Sequence, residues 1–146
     1  MTSLIYIING PNLNLLGQRE PKIYGSNTLK DVEDICIKIA NKANIKINFL
    51  QSNAEHEIIN WIHNAREDAS GIIINPAAYS HTSIAILDAL TLFEEYIIEV
   101  HISNIHKRES FRHNSYVSQK STAVIAGFGI DGYKIALEKM INLCSN

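Results

Sequence analysis
The sequence predicts an α/β fold on a sheet of five parallel strands, and two observations carry the prediction. Short, continuous apolar runs alternate with stretches whose apolar residues recur at helical spacing. Strands that are apolar on both faces need helices above and below them, which is the arrangement of a parallel sheet. Polar residues then collect just after the apolar runs, where an open parallel sheet binds its ligands. Right-handed crossovers between successive strands give a doubly wound, flavodoxin-like order, 2-1-3-4-5.

Leu4-Ile5-Tyr6-Ile7-Ile8 is the first strand, closed by Asn9-Gly10-Pro11. Residues 9–27 are rich in Gly, Pro and Asn and read as one long loop, of the kind that serves as an active-site lid. Thr28 opens a helix with Asp31 as its capping-box partner, and Leu29, Val32, Ile35, Ile39 and Ala43 keep helical spacing. Residues 45–50 form the second strand. Ser52 and Glu55 predict another capping box, before a helix carrying Ile58, Ile59, Ile62 and Ala65. Ile72-Ile73-Ile74 is the third strand, ending at Asn75-Pro76, and a helix follows over 82–92. Residues 97–102 form the fourth strand and 103–118 a polar loop. Residues 123–126 form the fifth strand, ended by Gly127-Phe128-Gly129. The last helix carries Ile135, Ala136, Met140, Ile141 and Leu143. With no repeat, low-complexity tract or linker, residues 1–146 read as one domain.

A chain of 146 residues suffices for one sizeable core. A hydrophobic fraction of 46% and a charged fraction of 19% are ordinary for a globular protein. The net charge of -2 gives no electrostatic reason to expect nucleic acid or an anionic membrane as partner. No stretch approaches the ~20 apolar residues of a membrane span. The start lacks a basic n-region and its apolar run ends early, which argues against a signal peptide. Cys36 and Cys144 match no metal or redox spacing. Cys36, among Ile35, Ile37 and Ile39, reads as a buried free thiol. Two lone cysteines suit a reducing cytoplasm.

After the first strand come Asn9, Asn12, Asn14, Arg19 and Tyr24, and after the third Asn75, Tyr79, Ser80 and His81. The fourth ends with Glu99, His101 and Ser103, followed by His106, Arg108, Arg112 and His113. There is no P-loop, no dinucleotide glycine fingerprint after the first strand and no G-x-S-x-G elbow. His81 and His101 have no convincing third metal ligand in the sequence, which leaves zinc open but unsupported. What remains suits a hydroxylated, anionic small molecule held without a cofactor. Each group also has a plainer reading. Asn9-Gly10-Pro11-Asn12 could be turn chemistry alone, Tyr24 packing beneath the loop, and Glu99 with His101 a structural pair. Arg108 and Arg112, a helical turn apart, could be solvated surface, and Asp88 an exposed helix carboxylate.

Taken together, the motifs resemble those of the type II 3-dehydroquinate dehydratases. The N-terminal run is Gly10-Pro11-Asn12-Leu13-Asn14-Leu15-Leu16-Gly17, then Arg19-Glu20-Pro21 and Tyr24-Gly25. The second is Asn75-Pro76-Ala77-Ala78-Tyr79-Ser80-His81-Thr82-Ser83. The third is Glu99-Val100-His101-Ile102-Ser103-Asn104, with Arg108-Glu109 and Phe111-Arg112-His113 after it. Gly127-Phe128-Gly129 and Gly132-Tyr133 resemble the family's C-terminal segment. Two positions depart from the pattern: Ala77 stands where Gly is expected, and Ser80 where Thr is common. Ala77 would be crowded if its position needs an unusual dihedral.

The resemblance implies conversion of 3-dehydroquinate to 3-dehydroshikimate and water in the shikimate pathway, by anti elimination through an enolate. It implies Tyr24 as the base, with Arg19 and Arg108 as the cations that favour its phenolate. A tyrosine titrates near pH ~10, so ionising it at neutrality takes roughly 4 kcal/mol of differential interaction. Two arginines in a closed, water-poor site could supply that, so lid closure is expected to take part. Asn12 is implied as the enolate stabiliser and His101 as the general acid, oriented by Glu99. Asn75, Ser103 and the backbone N–H groups of Ile102 and Ser103 are implied for the substrate carboxylate, and His81 and Arg112 for ring hydroxyls. Asp88 is expected to reach a neighbouring subunit, in a dodecamer built of trimers. The rival readings are another lyase or isomerase, a non-catalytic binding protein and a flavin carrier.

Overall fold
Runs of Ile and Val without alternation have no face to give to water. In the computed structural model, which describes residues 3–18 and 20–145 with Tyr24 by its backbone alone, those of the three central strands are buried on both sides. Strands β1 (Leu4–Asn9), β2 (Lys46–Gln51), β3 (Gly71–Asn75), β4 (Tyr96–His101) and β5 (Ala123–Ala126) make one sheet. Its order is β2-β1-β3-β4-β5, all parallel, as the sequence predicts.

Alternate strand residues supply two separate cores. Ile5, Ile7, Ile73, Ile98 and Val100 pack with Val32 and Cys36 of α2 (Leu29–Lys42) and with Tyr133, Ala136 and Met140 of α5 (Asp131–Cys144). Tyr6, Ile8, Ile72, Ile74 and Ile97 pack with Ile58 and Ile62 of α3 (Glu55–Asp68) and with Ile86 and Leu90 of α4 (Ile84–Thr91). Burial raises the Cys36 thiol to about 12, so it is a core residue and not a nucleophile. Among the described residues no helix is long and apolar enough to cross a membrane.

The helix starts show where local signals held and where they did not. The capping box at α2 forms: Thr28 Oγ1 accepts from Asp31 N at 3.2 Å and Thr28 N donates to Asp31 Oδ2 at 2.9 Å. The box expected from Ser52 and Glu55 does not. Ser52 Oγ accepts from Ala54 N at 2.9 Å, a local turn that competes with capping, and Ala54 is the N-cap. At α4 the cap is Ser83, whose Oγ accepts from Ile86 N at 2.9 Å, so the helix starts later than residue 82. Residues 9–27 are not one structureless loop. They hold a 3-10 turn, Leu13–Leu15, and the short helix α1, Pro21–Tyr24. Leu13 and Leu16 are buried in the core and pin that turn to the sheet.

Candidate active site
Parallel register brings three strand ends level. Asn9 pairs with Asn75 across β1 and β3, and Ile74 pairs with Glu99 across β3 and β4. The polar residues at these ends, Asn9, Asn75, Glu99 and His101, are all buried. Buried polar groups need partners, and each of these has them. Asn9 Nδ2 donates to Leu50 O at 3.0 Å, and Tyr133 Oη donates to Asn9 Oδ1 at 2.7 Å. Asn75 Nδ2 donates to Tyr133 Oη at 2.9 Å, and Asn75 Oδ1 accepts from Ala77 N at 3.1 Å. The two loops also meet at backbone level. Gly10 N donates to Asn75 O at 2.8 Å, and a Cβ on Gly10 would collide with the Pro76 carbonyl. Glycine is required there, so Asn9-Gly10-Pro11 is more than turn chemistry.

Glu99 is fully buried and accepts three hydrogen bonds. One comes from His101 Nε2, one from Ser115 Oγ at 2.7 Å and one from Ser118 Oγ at 2.6 Å. Burial alone would raise the Glu99 carboxyl. The hydrogen bond and charge of His101, with the hydroxyls of Ser118 and Ser115, outweigh it and hold the group below its ordinary value. Glu99 is therefore a carboxylate at neutral pH, and it fixes the His101 ring through Nε2.

That ring borders a cavity of about 160 Å³. Its wall also carries Asn12, Asn75, His81, Ile102, Ser103, Arg108 and Arg112. Asn12 sits in the left-handed region at φ 69°, which asparagine tolerates, and its N–H donates to Asn53 Oδ1 at 2.9 Å. His81 Nδ1 lies 2.8 Å from Asn114 O. A carbonyl only accepts, so Nδ1 carries the proton. Burial, with His101 and Arg112 nearby, lowers the His81 ring below its ordinary value, against the opposing Asn114 bond. A neutral His81 leaves Nε2 as an acceptor for a hydroxyl. Arg108 Nη1 donates to Ser103 Oγ at 3.3 Å, and Arg112 Nε donates to Glu109 Oε2 at 2.6 Å. The two arginines come from separate 3-10 turns rather than one helix, yet both line the cavity and are not merely solvated surface.

Most of the residues expected at the site are thus together. Asp88 is exposed on α4 and is not in the wall of its own chain's cavity. Arg19 and the side chain of Tyr24 lie outside the described residues. Ala77, in the wall, has φ 53°, so the position expected to hold Gly does require a left-handed backbone. Sequence reasoning gave no role to Ser115, Ser118, Asn53 or Tyr133. The signals were present: a glutamate inside an Ile/Val strand and a tyrosine in a buried helix turn both demand partners. Among the described residues no group of three or more His, Cys, Asp or Glu is placed to hold a metal ion.

A carboxylate-held imidazole, two guanidinium groups and asparagine amides at the carboxyl edge of a doubly wound sheet define an α/β enzyme site built for acid–base chemistry on a small anion. Comparisons agree with that class and narrow it. The family model "Dehydroquinase class II" matches residues 3–141. The 3-dehydroquinate dehydratase of Cereibacter sphaeroides is 59% identical over 145 residues, 99% of each chain. The 3-dehydroquinate dehydratase 2 of Agrobacterium fabrum is 62% identical over 143 residues, 98% of this chain and 97% of the relative. The crystal structure of the type II dehydroquinase from Propionibacterium acnes superposes with a TM-score of 0.93 at 44% identity, covering 97% of this chain and 98% of that one. The chain belongs to the class II dehydroquinase family.

Proposed function
We propose that the cavity dehydrates 3-dehydroquinate to 3-dehydroshikimate by anti elimination through an enolate, as a hydro-lyase of the shikimate pathway. The observation that carries the reading is the buried Glu99–His101 pair opening onto a cavity lined by Asn12, Arg108 and Arg112. Tyr24 removes the proton alpha to the ketone, its phenolate favoured by Arg19 and Arg108. Asn12 stabilises the enolate oxygen. His101 gives its proton to the departing hydroxyl, and the ionised Glu99 balances the charge of the imidazolium. Asn75, Ser103 and the backbone at Ile102 and Ser103 take the substrate carboxylate. His81, as an acceptor through Nε2, and Arg112 take ring hydroxyls.

No cofactor is needed for these steps, and no lysine for a Schiff base lies in the runs 10–17, 75–83 and 99–104. Asp88 completes a neighbouring subunit's site in a dodecamer of trimers. Ile84 and Leu92, large apolar residues exposed on and just after α4, support a subunit contact on that face. The unpaired Cys36 and Cys144 support a cytoplasmic setting.

The test is the ultraviolet absorbance of the enone product on adding 3-dehydroquinate to metal-stripped protein, with borohydride as a second arm. Product that forms despite both treatments is expected. Folded protein that yields none would refute the activity.

A further inference from the structure
The proposed mechanism uses Asn75 but not the two residues behind it. Asn9 and Tyr133 are buried and, with Asn75, form a relay from β1 through α5 to β3. The relay has a direction, set by backbone at both ends. At one end stands the Leu50 carbonyl, which only accepts, so the Asn9 atom 3.0 Å from it is Nδ2. Asn9 therefore turns Oδ1 to Tyr133, and the phenol uses its single proton there, at 2.7 Å. With that proton committed, Tyr133 Oη can only accept from Asn75, at 2.9 Å. At the other end stands the Ala77 N–H, which only donates, so the Asn75 atom 3.1 Å from it is Oδ1. The two anchors agree on one orientation. Burial also raises the Tyr133 hydroxyl well above its ordinary value, so the proton stays on the phenol across the working range.

We propose that Tyr133 is a positioning residue: its hydroxyl fixes the rotation of the Asn75 amide so that a remaining Nδ2 hydrogen, not a carbonyl oxygen, serves the cavity. A donor is what an anionic substrate needs. A flipped amide would present its oxygen to a carboxylate and repel it. The proposal rests on the reading of Asn75 as a substrate contact.

A residue that merely tied α5 to the sheet would affect stability without changing how substrate binds. The experiment compares Tyr133→Phe, Asn75→Ala and the double variant by steady-state kinetics with 3-dehydroquinate, after thermal melts show each is folded. Tyr133→Phe is expected to raise KM about threefold to tenfold while kcat changes less than about twofold, the pattern of lost ground-state binding. In the Asn75→Ala background it is expected to raise KM no further, because the two act through one contact. An unchanged KM in Tyr133→Phe alongside a raised KM in Asn75→Ala would overturn the proposal, as would an equal rise in both backgrounds. An unchanged KM in Asn75→Ala would overturn the reading of Asn75 itself, and the proposal with it. Should Tyr133→Phe not fold, Asn9→Ala decides by the same criterion, since removing Oδ1 frees the phenol proton to turn on Asn75.

Discussion

The two segments that flank the cavity differ in how far along the chain they are fastened. The one after β4, residues 102–122, is bound to the rest of the molecule along its length, by Ile102 and Val117 in the two cores and by polar contacts. Ser115 and Ser118 hold Glu99, Tyr116 N donates to Ser80 O at 2.8 Å, and Asn114 O accepts from His81 Nδ1. The one after β1 is fastened only over its first residues, by Gly10 N to Asn75 O, Asn12 N to Asn53 Oδ1 and the buried Leu13 and Leu16, and then runs through residues 20–23 and 25–28, where every described side chain is exposed. The proposed acid is therefore preassembled by its own chain and shares its supports with the fold. The proposed base stands on a stretch that adds little to the core. Loss of function should accompany loss of stability in the segment after β4 and separate from it in the segment after β1.

The largest expected effect tests that separation directly. Tyr24→Phe removes only the phenol oxygen and should lower kcat by about 10²–10⁴-fold at unchanged melting temperature. Unchanged turnover would break both the comparison and the role given to Tyr24. Glu99→Gln, on the opposite side, should lower kcat and also cost about 1–3 kcal/mol of stability, because buried donors lose a carboxylate. Its pH dependence has a definite sign. The folded Glu99 carboxyl lies below its ordinary 4.5, so its stabilisation is full above that value and drains as pH falls through the folded value. The gap in melting temperature between wild type and variant should narrow as the solution is acidified below 4.5. A gap that widened on acidification would mean that Glu99 is not held as a carboxylate.

The smallest effect concerns the loop between them. Ala77 at φ 53° carries a left-handed backbone that a Cβ disfavours. Ala77→Gly relieves that strain but frees the unfolded chain, so the net gain should be at most about 1 kcal/mol. Chemical denaturation would show it, and a loss of stability would indicate that the Ala77 methyl has a packing role in the wall.

The sheet order was legible because Ile-rich runs buried on both faces leave few alternatives, and the Thr28 cap because both its partners lie within one turn. The Ser52 cap misled for a related reason: a serine that can bond its own neighbours competes with the helix it precedes. In the site, the residues of the motif runs were legible as a set from their resemblance to a family. Their supports were not. Ser115 and Ser118 lie 16 and 19 residues from Glu99, and Tyr133 lies 58 from Asn75, so no local pattern links them. The sequence did flag position 77, and the left-handed backbone there bears that out.

The Asn9–Tyr133 bond spans 124 positions. During synthesis β1 emerges first, yet the last polar partner at its end arrives only with the final helix. Contacts so distant in sequence form after local ones, because the chain between them must first give up its freedom. In refolding, helical signal will return before catalysis does. Regained activity will report that the chain has closed from its first strand to its last helix.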